Sequence, residues 1–199
     1  EVQGAELLPN GSLRLLGKAP QVTALPGFEE GAFWVQDAAA AMPAKILGAS
    51  SGETILDLCA APGGKTLQLA AMGASVTAVD ASETRLARHP DLPYGKDGWD
   101  LSSLTKLQGQ LFDAAWARVR PGGRLVYAVC SLLPDEGEAQ VQSALQRYDD
   151  LAIDREALLR PGLEPDWISE TGLRLRPDFW PELGGMDGFF IAAFRKTPS

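Results

Sequence analysis

The stretch Ile55-Leu56-Asp57-Leu58-Cys59-Ala60-Ala61-Pro62-Gly63-Gly64-Lys65-Thr66 decides the fold. A short apolar run ends near an acid and breaks into a Pro-Gly-Gly turn, and a helical pattern follows from Thr66 to Met72. A second β-rich run, Ser75 to Val79, ends in Asp80. Strand, glycine loop, helix, strand, acid is the order in which an open α/β sheet holds a nucleoside-containing cofactor at the carboxyl ends of its first two strands. Pro62-Gly63-Gly64 lets the backbone approach a ligand, and the helix start behind it offers unpaired N–H groups. There is no Gly-x-Gly-x-x-Gly, and Gly64-Lys65-Thr66 lacks the earlier glycine of a phosphate loop, so neither a dinucleotide nor a triphosphate is favoured. Asp80 lies sixteen residues past Gly64 and is placed to accept hydrogen bonds from ribose hydroxyls. The competing interpretation is a tight strand–helix turn with Asp80 as an ordinary cap.

Working outward, residues 1–30 read as short strands and turns, including Ser12 to Leu16 after the Asn10-Gly11 turn signal. Gln36 to Leu47 is helical in pattern, with Pro43 kinking or restarting it. Ser82 to Arg88 starts a helix. Residues 103–119 form a longer one, with Leu104, Leu107, Leu111, Ala115 and Val119 on one stripe, ended by Pro121-Gly122-Gly123. Arg124 to Cys130 is a buried strand and Glu136 to Arg147 a further helix. Two more strands are expected at Leu173 to Leu175 and Gly188 to Phe194. No internal repeat or low-complexity segment is present. One element is short: between Arg88 and the next helix there is no room for the third and fourth strands of a doubly wound sheet, of which the fourth lies beside the first. Central backbone groups left without that neighbour cost roughly 1–3 kcal/mol each. A segment is therefore expected to be missing between Arg88 and His89.

The 199 residues suggest one domain with a small appendage. Hydrophobic content of 45% and charged content of 22% are those of a soluble globular chain. No apolar run reaches membrane-spanning length, and no secretory leader is seen, so a cytoplasmic protein is expected. The net charge of −8 argues by itself against nucleic acid as a partner, although arginines at 85, 88, 174, 176 and 195 leave room for a local basic face. Two cysteines, Cys59 and Cys130, make no disulfide framework. Cys130 ends a strand at the ligand edge of such a sheet, where a thiolate nucleophile belongs. An inert core cysteine is the commoner interpretation of a lone thiol. Cys59 is taken as a packing or backbone contact within the cofactor loop. Gln36-Asp37 could orient a loop over the cofactor, though Asp37 more often caps a helix, and Met186 to Phe190 reads as core packing. With one histidine, His89, neither a Ser-His-Asp triad nor a zinc site is expected.

Together these pieces resemble the Sun/Fmu (RsmB-type) family of S-adenosylmethionine-dependent ribosomal RNA cytosine-5 methyltransferases. The resemblance runs from about Gly27 to Arg195. It rests on Gly31 to Asp37, Asp57 to Thr66, Ala78-Val79-Asp80, His89-Pro90-Asp91, Arg120 to Gly123, Val129-Cys130-Ser131 with Asp135 to Glu138, and Gly185 to Phe190. It implies a Rossmann-like class I methyltransferase, an α/β fold with a mostly parallel doubly wound sheet. It implies that Cys130 is the nucleophile that attacks cytosine C6. It also implies that Cys59, Ala60, Ala61, Pro62, Gly63, Gly64 and Lys65 hold S-adenosylmethionine, with Asp80 on its ribose. The partner implied is RNA, above all ribosomal RNA, with tRNA as the alternative; the unit is a monomer with no metal. The family carries an Asp-Ala-Pro-Cys motif after the fourth strand, and no such motif occurs here. Its absence falls where strands are lacking, and a module that binds cofactor or RNA without catalysis is the alternative if the Arg88/His89 junction is genuine. Residues 1–26 are expected to be the tail of an accessory segment and 27–199 the catalytic domain.

Overall fold

The computed structural model describes residues 4–17, 21–81 and 101–198. The helix expected from Ser82 to Arg88, His89-Pro90-Asp91 and the Arg88/His89 junction lie outside these residues. The chain opens with a hairpin, β1 (Ala5–Leu7) and β2 (Leu13–Leu15), turned at Asn10-Gly11. Leu8 and Asn10 are buried against the next segment, where the Asn10 amide donates to the Ala38 carbonyl at 3.1 Å. Helix α1 (Met42–Leu47) is shorter than its pattern suggests. Residues 36–41 are instead held in turns by Asp37, whose Oδ1 accepts from the Ala39 N–H at 2.7 Å. Pro43 falls in the first turn, where its missing N–H costs nothing, and Gly48 at φ 60° closes the helix.

Strand β3 (Thr54–Leu58), helix α2 (Gly64–Ala71) and strand β4 (Ser75–Val79) follow as expected, with β3 and β4 parallel and in register from Thr54–Ser75 to Leu58–Val79. The second half contains α3 (Leu101–Trp116), β5 (Arg124–Val129), α4 (Glu138–Arg147), β6 (Leu151–Ile153), α5 (Arg155–Leu158), β7 (Leu173–Leu175) and β8 (Phe189–Lys196). β8 organises this half. One edge pairs antiparallel with β5; the other pairs with β7 over its first residues and with β6 over its last.

β8 is buried on both faces, which explains its unbroken apolar run. Phe189, Ile191 and Ala193 face one cluster with Leu173, Leu175, Met42, Ile46 and Leu8. Phe190, Ala192 and Phe194 face another with Phe112, Trp116, Val141 and Ala144. The two-residue period of the strand thus builds two cores from one segment. Helix α3 departs from its expected stripe. Phe112 and Trp116, one turn apart, point inward, and Phe112 meets Phe194 edge-on with ring centroids 5.4 Å apart. Leu107 and Leu111 are 43% and 37% exposed. The larger aromatic rings bury more apolar area than the leucines and so set the rotation of the helix.

The sheet is in two pieces among the described residues. Among the described residues the parallel pairing is that of β3 with β4, and β5 belongs to the antiparallel sheet around β8. No ladder joins β3 to β5. Leu56 and Val79, residues of strands that a doubly wound sheet covers on both sides, are 39% and 47% exposed. The interruption falls where the fourth strand was expected to be missing.

Candidate active site

The loop after β3 is set by its own backbone. Cys59 is exposed and takes φ 61°, turning the chain sharply out of the strand. The Ala60 N–H donates to the Val79 carbonyl at 3.2 Å, and the Ala61 N–H to Asp80 Oδ2 at 3.0 Å. The second strand and its terminal acid thereby hold the loop of the first. Gly63 takes φ 103°, a conformation open to glycine, and the Gly63 N–H donates to the Ala60 carbonyl at 2.6 Å. A Cβ at Gly63 would meet nothing within 4 Å, so the loop is open on that side. A Cβ at Gly64 would lie 3.2 Å from the Gln36 side chain, which therefore rests directly on the loop backbone. Gln36 is itself fixed, donating to the Ala40 carbonyl at 2.8 Å and accepting from Trp34 Nε1 at 2.9 Å. Thr66 Oγ1 donates to Asp57 Oδ2 at 2.5 Å, tying the end of β3 to the first turn of α2.

Cys130 follows the last residue of β5 and is exposed. That removes the inert core-cysteine interpretation. The turn behind it is densely held. Ser131 Oγ donates to Glu136 Oε1 at 2.7 Å and accepts from the Leu133 N–H at 3.1 Å. Gln108 of α3 donates to Glu136 Oε2 at 2.7 Å, and the Tyr127 hydroxyl to the Glu136 carbonyl at 2.7 Å. Burial, with Glu136 nearby, pushes the Tyr127 phenol well above its ordinary value, so it acts there as a neutral donor. Arg174 donates to the Ser131 carbonyl at 2.6 Å and pairs with Glu138.

Lys65 relates the loop to β8. It belongs to the cofactor loop in sequence, but its ammonium lies 5.6 Å from the centre of the Phe189 ring. Burial lowers its pKa, while the charges of Asp57 and Cys130 oppose that shift. Phe189 precedes Phe190, which is in register with Val129, the residue before Cys130, so the ammonium lies near the carboxyl end of β5. Asp37 and Asp187 meet on the same side of the molecule: Asp37 Oδ1 accepts from the Asp187 N–H at 3.2 Å. Burial, and then the Asp37 charge, raise the Asp187 pKa.

The residues present fit S-adenosylmethionine. The first N–H groups of α2 lie beyond Gly63 and suit a carboxylate, the open side of Gly63 admits a ligand close to the backbone, and Asp80 ends the adjacent strand, where a ribose belongs. Among the described residues, no group of three His, Cys, Asp or Glu side chains is arranged to hold a metal, and no helix is long and apolar enough to cross a membrane.

Each expected site residue falls at the carboxyl ends of β3, β4 and β5. The partners that sequence reasoning missed are Arg174, Glu136, Gln108 and Tyr127. Arg174 and Glu136 stood inside recognised segments, yet nothing in their spacing says that they converge on one turn. The missed role of Lys65 had a signal, since a lysine at the start of a helix opposes its dipole.

The chain matches the family model described as 16S rRNA methyltransferase RsmB/F in two blocks, residues 44–88 and 86–195. Ribosomal RNA small subunit methyltransferase B of Salmonella arizonae is 36% identical over 237 residues, covering 93% of this chain and 52% of that protein. The protein of the same name from Salmonella paratyphi B gives the same figures. The chain thus spans about half the length of the curated relatives it matches. An alignment of 237 positions against 199 residues leaves at least 38 positions (237 less 199) with no counterpart here. The two family blocks meet at residues 86–88, outside the described residues and between β4 and β5 in the chain. Among solved structures, a methyltransferase homologue from Pyrococcus horikoshii superposes with a TM-score of 0.71 at 22% identity, covering 96% of this chain and 78% of that one. NSun6 from the same organism, crystallised with SFG, gives 0.70 at 23%, covering 91% and 57%. These two likenesses concern the fold. With more than half its residues matched by the family model, the chain belongs to the 16S rRNA methyltransferase RsmB/F family.

Proposed function

We propose that this chain is the catalytic part of an RNA methyltransferase that forms 5-methylcytosine, acting on ribosomal RNA through a covalent adduct at Cys130. The observation that carries this reading is an exposed thiol directly after β5 and an open Pro-Gly-Gly loop directly after β3, with Lys65 of that loop over Phe189 of the strand paired with β5. Residues 59–65 and Asp80 hold S-adenosylmethionine, which supplies the electrophilic methyl group. The Cys130 thiolate adds to cytosine C6, forming an S–C6 bond and shifting the C5–C6 electron pair to C5, otherwise a poor nucleophile. Once C5 carries the methyl group, loss of the C5 proton to a base restores the double bond, breaks S–C6 and returns the thiolate. Lys65 steadies the thiolate before attack and after release. The Ser131–Glu136 turn keeps the sulfur in place. The target base must be unpaired or turned out of its stack to reach Cys130. The working unit is a monomer in the cytoplasm, free of metal. Residues 1–26 are the tail of an accessory segment that packs on the catalytic domain, 27–199, through Leu8 and Asn10.

Cys130→Ala tests this reading. Transfer of methyl from S-adenosylmethionine to ribosomal RNA should vanish while cofactor binding by calorimetry stays within about twofold. Retained transfer would overturn the role of Cys130. Bisulfite mapping of RNA from cells lacking the protein identifies the base. A second reading is favoured by the interrupted sheet: a module that binds S-adenosylmethionine or RNA without catalysis. It predicts cofactor binding without transfer in the unmutated chain.

A further inference from the structure

Arg174 lies at the middle of β7, in register with Phe190 of β8, and its guanidinium carbon stands 4.9 Å from the centre of the Phe190 ring. From there the side chain divides. Nε and Nη2 meet Glu138 Oε1 and Oε2 at 3.2 and 2.5 Å, and Nη1 donates to the Ser131 carbonyl at 2.6 Å. Glu138 is the first residue of α4, and Ser131 is the residue after Cys130. One planar cation thus grips both ends of the turn that leaves the nucleophile. The space it uses is kept clear by Gly137, where a Cβ would lie 2.7 Å from Arg174 Nη2 and 2.8 Å from Phe190 Cγ.

The ion pair with Glu138 would be enough to anchor the start of α4. The bond to the Ser131 carbonyl is not needed for that, because water could satisfy a carbonyl on so exposed a turn. A rigid donor fork spent there fixes direction, which a flexible ammonium would not do as well. Cys130 is exposed, and the peptide that follows it is the one Arg174 holds. A reacting atom misplaced by about 1 Å loses on the order of a hundredfold in rate.

We propose that Arg174 is a positioning residue for Cys130. It fixes the Ser131 carbonyl, and with it the peptide that carries the thiol, so that the sulfur faces the cofactor loop and Lys65 in one orientation. The inference rests on Cys130 being the nucleophile.

The test uses the full chain with Arg174→Ala, Arg174→Lys and Glu138→Gln and has two readouts. In methyl transfer to ribosomal RNA, Arg174→Ala should lower kcat by about tenfold or more, with KM for RNA and S-adenosylmethionine within about twofold. Arg174→Lys should fall between, and Glu138→Gln, which leaves the Ser131 bond, should keep kcat within about twofold. In the second readout, iodoacetamide labels both cysteines and peptide mapping resolves them. Arg174→Ala should slow Cys130 at pH 7 by about threefold or more and leave Cys59 unchanged, because the thiol leaves its place by Lys65. A rate loss carried by KM, equal losses in Arg174→Ala and Glu138→Gln, or unaltered Cys130 labelling would overturn the proposal. If the unmutated chain transfers no methyl group, the function reading fails, and the labelling arm alone decides the role of Arg174.

Discussion

Arg124, the first residue of β5, reaches Glu53, the residue before β3, with its Nη2 2.7 and 2.6 Å from the two carboxylate oxygens. Its Nη1 donates to the Leu47 and Gly48 carbonyls at 2.5 and 3.1 Å. One side chain therefore spans the break between the two sheets at their lower end and also closes α1, whose last carbonyls have no partner within the helix. Arg160 adds to the same cap through the Lys45 and Ile46 carbonyls. Where a strand would have joined β3 to β5 by a ladder, an ion pair joins them at one end, and the carboxyl ends remain apart around the site.

This pair makes the fold sensitive to acid. The side-chain bond from Arg124 lowers the Glu53 pKa below the ordinary 4.5. A carboxylate depressed on folding stabilises the native state above its unfolded pKa, and that contribution is lost as pH falls through the folded value. Melting temperature should therefore drop as pH falls below about 4.5, and Glu53→Gln should remove part of that dependence. Arg124→Met should cost about 1–3 kcal/mol at pH 7, since it removes the donor to the Leu47 and Gly48 carbonyls and leaves Glu53 with only the Ser50 N–H. Urea unfolding at pH 7 and thermal scans from pH 7 to 3 check both. A pH profile unaltered in Glu53→Gln would rule the bridge out as a source of stability.

Lys65 should trade stability for function. Burial of its ammonium lowers its pKa, so at pH 7 the charged form weakens the fold. With a folded pKa below the unfolded 10.5, stability rises as pH climbs through that interval and the lysine sheds its proton. Lys65→Met keeps the packing on Phe189 and removes the charge. It should raise the melting temperature at pH 7, with the gain shrinking towards pH 10, while methyl transfer falls about tenfold or more. Asp57 and Cys130 lose their cation and reduce the gain without reversing it. Thermal scans at the two pH values decide: a lower melting temperature at pH 7 than the unmutated chain would show that the charge is a net support.

Much of this site could be read from local chemistry. Pro62-Gly63-Gly64 and Asp80 announce a strand–loop–helix–strand unit because turn residues and acids act on their own neighbours, and the structure places them as the pattern implies. Cys130 was legible as a strand end, but its exposure was not. β6 escaped notice because Leu151 to Ile153 is too short to show a period. Helix α3 was misphased because leucine spacing was weighed above two aromatic rings whose partners, Phe194 and Tyr148, lie far along the chain. Arg174 and Lys65 acquire their roles from contacts between distant segments, and no spacing within one segment reports those. The interruption of the sheet, by contrast, could be read by counting strands.

The glycines that frame the turn after Cys130 should differ sharply when given a methyl group. A Cβ at Gly137 collides with Arg174 Nη2 at 2.7 Å and with Phe190 Cγ at 2.8 Å, and Phe190 is fully buried between packed neighbours. Gly137→Ala should cost about 1–3 kcal/mol, the usual range for overpacking. A Cβ at Gly188 meets Leu132 at 2.8 Å, but Leu132 is 53% exposed and can swing away. Gly188→Ala should cost less than about 1 kcal/mol and act on the turn that follows Cys130, lowering methyl transfer more than stability. Urea midpoints for the two variants test the order; equal losses would mean that Leu132 is as confined as Phe190.

Gly63→Ala separates backbone strain from ligand contact. Gly63 has φ 103°, and a Cβ there would touch nothing within 4 Å. Its cost to folding is therefore conformational, about 1–3 kcal/mol for a side chain held in so unfavourable a region. The same methyl group would project into the open side of the loop, where the proposed function puts the cofactor. S-adenosylmethionine affinity should fall by about tenfold or more, beyond anything that partial unfolding explains at temperatures where the variant remains native. Calorimetric titration well below the melting point makes the measurement. Unaltered affinity would place the cofactor away from Gly63 and leave the glycine with a backbone role alone.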